Sequence, residues 1–366
     1  GLLHRLLATR LGAVHATALT LVLASSLYVF PAGVWLLPDN AGWLGVLAVL
    51  GLSLRVRYRA RLVVFGSLLL VPLVLTRQIH LWAAAAVWTA AWMGPELGGV
   101  WRIFERWPRR LRFFAIAVLA SLPAFAAVGA FVWVWGGLVP PMFQGAYHGA
   151  NPATPALTLS VAGLLSPAFA PWIVPGLRDL WRGGKGWLVL ALGFGLVAAL
   201  VPSTTFDPEA GRISGIWTAA SKLPVLMGRT SPVVLILAPV GAVAVASVLA
   251  RATPRSGWIL LGALVGFVTA QSATHEAWQR YHEPCVLIWF ALAIAEAPVE
   301  RRSIRAIYAV LPLAIAAVMA LATGLRIAGE RSLPVLEPEL FERAVSEDPL
   351  DGRPPPADDA GADGKP

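Results

Sequence analysis

Apolar residues in this chain gather in long unbroken runs separated by short polar connections. Eleven runs stand out, at approximately 11–37, 41–54, 62–75, 81–93, 113–138, 155–176, 187–201, 233–250, 257–270, 285–298 and 306–325. About 20 apolar residues cross about 30 Å of hydrocarbon as a helix. A spanning segment must satisfy its own backbone polar groups, and helices do so while tolerating Gly and Pro. The pattern predicts an all-α fold: a polytopic transmembrane bundle of about eleven helices over residues 1–325.

The connections sort into two alternating sets. One carries Arg55, Arg57, Arg59 and Arg61; Arg102, Arg106, Arg109, Arg110 and Arg112; Arg178, Arg182 and Lys185; Arg251 and Arg255; and Arg301, Arg302 and Arg305. The other comprises Pro38 to Ala41, Thr76 to His80, Val139 to Pro152, Pro202 to Pro232 and Gln271 to Pro284. The positive-inside bias puts the first set in the cytoplasm, with the N-terminus marked by His4, Arg5 and Arg10. The second set then faces outward, and an inner (plasma) membrane of a bacterium is the expected location.

Composition agrees with this. The chain is 57% hydrophobic and 13% charged, against about 25% charged in a soluble domain. The net charge of +9 lies in arginine clusters between apolar runs, so it reads as a topology signal rather than a nucleic-acid surface. Ten of the twenty acids fall between Glu330 and Asp363. That Pro-rich stretch, residues 326–366, cannot bury enough apolar surface to fold alone and is expected to be a disordered tail. The single cysteine, Cys285, rules out an internal disulfide and reads as a packing residue.

Polar residues without a topological reason sit almost wholly in the outward set. In the loop 202–232, Ile213, Ile216, Trp217, Ala220 and Leu223 recur at helical spacing, which predicts an interfacial helix lying flat on the membrane. Arg77 and Gln78 join two apolar runs; an arginine fork there can hold a phosphate, or it can anchor a helix end by snorkelling. Gln144, His148 and Asn151 lie among turn formers, as a re-entrant turn or a sugar-binding lip. His275 to Pro284 is the densest constellation. As a helix it would set Glu276, Arg280 and Glu283 on one stripe, either as an ion-pair network or as a site for an anionic headgroup and a ring-stacking sugar.

Arg280-Tyr281 followed by Pro284 resembles the R-Y-x-x-P pattern of the GT-C glycosyltransferases, polytopic enzymes that take sugars from polyprenyl-phosphate donors on the outer face. Arg77-Gln78 is similar to the Arg-Gln element of the dolichyl-phosphate-glucose dependent members. The resemblance implies an inverting transfer and a catalytic aspartate in the first outward loop. The partners it implies are membrane lipid and a polyprenyl-phosphate-linked sugar, with a divalent metal ion as the candidate cofactor. Binding is then expected of Arg77, Gln78, His148, Asn151, Gln279, Arg280, Tyr281 and His282. Glu276, Glu283 and Asp207 are the candidate catalytic bases; no residues are assigned as metal ligands. Asp39, in a connection of four residues, is read as too short of reach to meet Arg280. The natural chain is therefore expected to begin before Gly1, with at least two more helices enclosing an acidic loop. The competing reading is a transporter or flippase, against which stand the scarcity of mid-depth charge and the lack of an inverted repeat; a non-catalytic membrane scaffold is the third.

Overall fold

The computed structural model describes residues 1–30, 39–55, 60–94, 107–141, 149–213, 215–297 and 306–330. Among them the secondary structure is helical throughout, broken only by isolated bridges in the 202–232 loop. The helices are α1 (Leu2–Leu11), α2 (Ala13–Ala24), α3 (Asp39–Ser53), α4 (Ala60–Leu68), α5 (Leu70–Thr76), α6 (Ala84–Met93), α7 (Trp107–Trp135), α8 (Thr154–Leu165) and α9 (Ala170–Gly183). They continue with α10 (Lys185–Leu200), α11 (Ile216–Ala220), α12 (Pro232–Arg251), α13 (Pro254–Ser272), α14 (Gln279–Ala295) and α15 (Val310–Glu330). Among the described residues four stretches are long and apolar enough to cross a membrane: Trp107–Trp135, Thr154–Gly183, Pro232–Arg251 and Ile307–Ala328.

The chain divides into one unit from Gly1 to Thr323 and a second from Gly324 to Pro366. The helix Val310–Glu330 runs past the expected boundary at Arg326; the Pro-rich stretch beyond it lies outside the described residues.

The first apolar run is not one helix. Gly12, at φ 83 and open to solvent on its Cβ side, turns the chain so that α1 folds back on α2. Thr17 and His4 share a hydrogen bond of 3.2 Å across this hairpin. Leu3, Leu7 and Leu11, one turn apart, supply the buried face of α1. Within the expected first run, α2 ends at Ala24 and α3 starts at Asp39; residues 31–38, where that run was expected to end, lie outside the described residues.

Around α12 the bundle is drawn tight. A Cβ on Gly163 of α8 would meet the carbonyl of Leu237, and one on Gly241 would meet that of Leu159. Gly195 of α10 likewise faces the Pro239 backbone. Without a water-driven force between helices in lipid, such small residues let backbones approach and gain dispersion contact.

At the basic end two arginines are buried. Arg255, 2% exposed, donates from Nε to Gly94 O at 2.7 Å, from Nη2 to Ser53 O at 2.9 Å and from Nη1 to Leu54 O at 3.4 Å. It thereby closes the C-terminal ends of α3 and α6, where unpaired carbonyls accumulate negative partial charge. Arg110 does the same for Trp92 O at 2.9 Å and Met93 O at 3.3 Å. Read in sequence as topology signals alone, these two are also structural caps.

Candidate functional site

Segment 271–284 is where several connections meet: it is bonded to Asn151, to the 202–232 loop and, through Tyr281, to Arg77. Trp278 is extended (φ −92, ψ 124) and α14 starts only at Gln279. The charged stripe expected of Glu276, Arg280 and Glu283 therefore does not form: Glu276 lies ahead of the helix and accepts a short hydrogen bond from Trp278 Nε1. Pro284, lacking an N–H, cannot donate to the Arg280 carbonyl one turn back.

Arg280 instead makes aromatic contacts. Its guanidinium carbon stands 4.8 Å from the Trp278 ring centroid and 4.8 Å from that of Tyr281, and Nη2 donates to the Tyr281 hydroxyl at 2.7 Å. The Arg77 guanidinium lies 4.9 Å from the same Tyr281 centroid. Arg77 in turn pairs with Asp39, Nη1 to Oδ1, at 2.9 Å. Arg77 and Arg280 thus meet on one tyrosine ring through cation–π contacts, and Asp39 joins them through its ion pair with Arg77. Asp39, expected not to reach Arg280, does not touch it but is linked to it by three successive contacts through Arg77 and Tyr281, from the start of α3.

Next to this rack lies an aromatic wall. Trp82 packs edge-on against Phe267 (5.3 Å), Phe267 against His282 (5.2 Å), and Trp43 against His80 (5.1 Å). His80 is held close because a Cβ on Gly42 would stand 2.5 Å from its Nε2. Burial pulls the His80 imidazole down to about 4, and the Arg77 charge acts in the same direction. His282 Nδ1 donates to Trp278 O at 2.8 Å, which leaves Nε2 as a lone-pair acceptor in the neutral ring. That Nε2, His80 Nδ1, and the Trp82 Nε1–H and Arg280 Nε–H donors are all buried without a hydrogen-bond partner. Buried polar groups are nearly always satisfied, so this mixed set of donors and acceptors suits a ligand that carries both.

The remaining expected residues divide by role. Gln78 opens the short helical turn Gln78–Ala83, half-buried, with no side-chain hydrogen bond among the described residues. Glu283 is buried, accepting from Ser26 Oγ at 2.6 Å and Gln279 Nε2 at 2.9 Å. Gln279 Oε1 accepts from Ile216 N at 2.9 Å. This chain of bonds ties 25–30, α14 and the 202–232 loop together, so the geometry gives Glu283 and Gln279 a structural role rather than a catalytic or binding one.

Asn151 gives both amide hydrogens to Ala210 O (3.0 Å) and His275 O (2.7 Å), and Oδ1 accepts from Ala153 N at 3.1 Å. It latches three connections and has no N–H left for a substrate. Asp207 pairs with Arg212 at 2.9 Å and accepts from Ala210 N at 3.1 Å, closing a tight turn. Burial draws the Arg212 pKa down, opposed by the charge of Asp207 and its hydrogen bond. Asp207 is thus a loop-closing residue and not a free base. His148 and Gln144 lie outside the described residues.

The expected interfacial helix is only the five-residue α11, and its apolar residues Ile216, Trp217 and Ala220 are buried. Trp217 Nε1 donates to Ala277 O at 3.1 Å. The face read as lipid-seeking is a roof clamped onto segment 277–279. Among the described residues no group of three His, Cys, Asp or Glu side chains could hold a metal ion, and the donor set at the mouth, two arginines with one carboxylate, does not fit a divalent cation. An apolar pocket between α8, α12, α13 and α14 is lined by Leu159, Ala162, Val245, Leu264 and Phe290 among others.

Comparison with known protein families, with curated proteins and with solved structures finds no match to this chain. What the site can do therefore rests on its chemistry. Sequence reasoning weighed Asp39, the sole acid among the first 95 residues, and set it aside for want of reach. It missed Trp43, Trp82 and Phe267, which nothing in an apolar run distinguishes from core.

Proposed function

We propose that this chain is the membrane domain of a glycosyltransferase that moves a sugar from a polyprenyl-phosphate donor to an acceptor on the extracytoplasmic face. The observation that carries the reading is the rack of Asp39, Arg77, Tyr281 and Arg280, in which both arginines meet on one ring and Asp39 pairs with Arg77. Two guanidiniums that stand 4.9 and 4.8 Å from the Tyr281 ring centroid suit a phosphate bearing a lipid on one side and a sugar on the other.

In the proposed reaction an acceptor oxygen bonds to the anomeric carbon as the bond from that carbon to the phosphate oxygen breaks. The electron pair leaves with the phosphate, and the proton of the acceptor hydroxyl passes to a carboxylate. Charge grows on the phosphate as the bond breaks, so fixed cations at Arg77 and Arg280 stabilise the transition state more than the ground state. Asp39 replaces Glu276, Glu283 and Asp207 as the candidate base, since those three are engaged elsewhere. Arg77 can turn from Asp39 to the phosphate, which frees the carboxylate as the donor arrives. The unpartnered Trp82 and His282 nitrogens, beside aromatic rings, fit the hydroxyls and apolar face of a hexose.

The test is binding and turnover of a polyprenyl-phosphate-linked hexose by the full chain in nanodiscs. Arg280→Lys should weaken donor binding about tenfold or more, because a point charge cannot reproduce a fork. Asp39→Asn should preserve donor binding and reduce sugar release about a hundredfold or more. A chain that binds no lipid-linked sugar, or an Arg280→Lys variant that binds it like wild type, refutes the proposal. Flipping of the lipid-linked sugar across vesicles without its cleavage would favour the transporter reading instead.

A further inference from the structure

The 202–232 loop holds an apolar feature that the roof over segment 277–279 does not use. Beyond α11 the chain runs out to a tip, residues 221–229, and returns to α12. Leu226, Met227, Gly228 and Arg229 make a two-residue turn, with Arg229 N donating to Leu226 O at 3.0 Å and Leu226 N to Thr230 O at 2.7 Å. Both central residues have positive φ, 55 for Met227 and 66 for Gly228. Such turns favour Asn-Gly at these positions, since a side chain like that of Met is strained in the left-handed region. The tip therefore sacrifices backbone stability to place a methionine where Asn would be easier, and that methionine is 84% exposed.

Its neighbours share this exposure. Leu223 and Val225, at alternate positions leading to Met227, are both exposed, as is Phe206. Lys222 and Arg229 flank them, also exposed. From beneath, the tip is fixed: Thr204 N donates to Arg229 O at 2.8 Å, Thr204 Oγ1 donates to Thr230 Oγ1 at 2.7 Å, and Arg229 Nη2 donates to Val201 O at 2.6 Å. The last contact sets the tip beside the outer end of α10.

That position identifies the occupant. One side of α10 exposes Trp187, Leu190, Phe194, Val197 and then Val201, an apolar stripe that in a membrane protein faces lipid tails. Leu223, Val225 and Met227, also exposed, belong to the tip that Arg229 fastens to Val201 at the end of that helix, just ahead of the span Pro232–Arg251. Cations at the margin of an apolar wedge match the headgroup layer, where they meet phosphates while the wedge enters the acyl boundary. We infer that the tip at Leu223, Val225 and Met227 is inserted in the outer leaflet as a lipid-seated anchor, which holds the roof of the loop at a fixed height over the mouth.

Depth measured by spin labelling tests this. Met227→Cys and Val225→Cys, each in a Cys285→Ala background and again with the buried Cys285 retained, would carry a nitroxide in the full chain reconstituted in phosphatidylcholine vesicles. Glu209→Cys, on an exposed part of the same loop, is the aqueous control. The expected result is a ratio of oxygen to nickel-chelate collision rates several-fold higher at 227 and 225 than at 209. Nickel-chelate collisions at 227 as frequent as at 209 would place the tip in water and overturn the inference. Low collision rates with both reagents, together with spin–spin broadening, would mean that a second copy of the chain covers the tip, and would overturn it equally.

Discussion

Replacing Arg255 by methionine removes a guanidinium while keeping most of the side-chain volume, and leaves the carbonyls of Ser53, Leu54 and Gly94 without that donor. In lipid-embedded proteins an interhelical hydrogen bond contributes on average about 0.6 kcal/mol, because the unfolded state in the membrane also finds partners. Three such bonds then set a lower figure of about 2 kcal/mol. Charge-assisted bonds run to about 1.5–3 kcal/mol each, but the contact to Leu54 is long at 3.4 Å, so an upper figure of about 5 kcal/mol is reasonable. Against a total of about 5–15 kcal/mol for a folded domain, that loss is severe. Reversible unfolding in mixed micelles of rising dodecyl sulfate content, followed by tryptophan fluorescence, measures it. Arg251→Met is the matched control: Arg251 pairs with Asp179 only at 3.8 Å with both side chains substantially exposed, and should cost about 0.5 kcal/mol or less. Since α3 carries Asp39 and α6 follows the turn of Arg77 and His80, the Arg255 variant should also lose donor binding. An Arg255→Met chain within about 0.5 kcal/mol of wild type would show that the three bonds form equally well with lipid or water and that the clamp is incidental.

Three further outcomes are expected. Asn151→Ala strands the carbonyls of Ala210 and His275 and should lower stability by about 2 kcal/mol in the same unfolding measurement; loss of donor affinity with unchanged stability would instead restore a binding role. The His80 imidazole, held near 4 when folded and near 6.5 when unfolded, adds no pH dependence above about 6.5 and costs stability progressively as pH falls from there towards 4; comparing wild type with His80→Gln across this window should show the gap between them changing, and parallel curves would contradict it. A cysteine at Glu209 should react with an impermeant maleimide from outside intact cells in a Cys285→Ala background and one at Ala60 should not; labelling at Ala60 would reverse the assignment of the two faces.

The helical class was legible because long apolar runs have one solution in a membrane, and the two sets of connections were legible through their arginines. The contacts respect that partition: Ser26, Asp39, Arg77, Asn151, Gln279 and Arg280 meet at one end, and Arg10, Ser53, Gly94, Arg255 and Glu296 at the other. What escaped the sequence was everything decided by termini. Hydropathy does not register that Gly12 turns the chain or that α2 stops at Ala24, so the run 11–37 read as one span and Asp39 looked stranded. Helical spacing in Ile216, Trp217 and Ala220 showed an apolar face without showing what would cover it; Ala277 and Gln279 do. For Glu283, spacing alone could not distinguish a base from a structural acceptor, since the answer depends on Ser26, more than two hundred residues away.

The arginines of this chain separate by how their hydrogen bonds are used. Arg255, Arg110 and Arg212 spend their N–H groups on backbone carbonyls that would otherwise be unpaired, an arrangement that fixes helix ends and loop turns. Arg280 makes the opposite choice: it rests on the Trp278 and Tyr281 rings, bonds a single hydroxyl, and forms no ion pair among the described residues. Ring contact holds a guanidinium in place from its face and leaves the in-plane donors available. Arg280 is half-buried and its Nε is buried without a partner, so the arrangement has physical sense if an anion completes it. By the same criterion Arg77, held by both a ring and a carboxylate, is the partner whose allegiance can change. The sequence offers the same eight-letter word, arginine, at every one of these places; the distinction between clamp and site comes from whether the surrounding chain gives it carbonyls or faces.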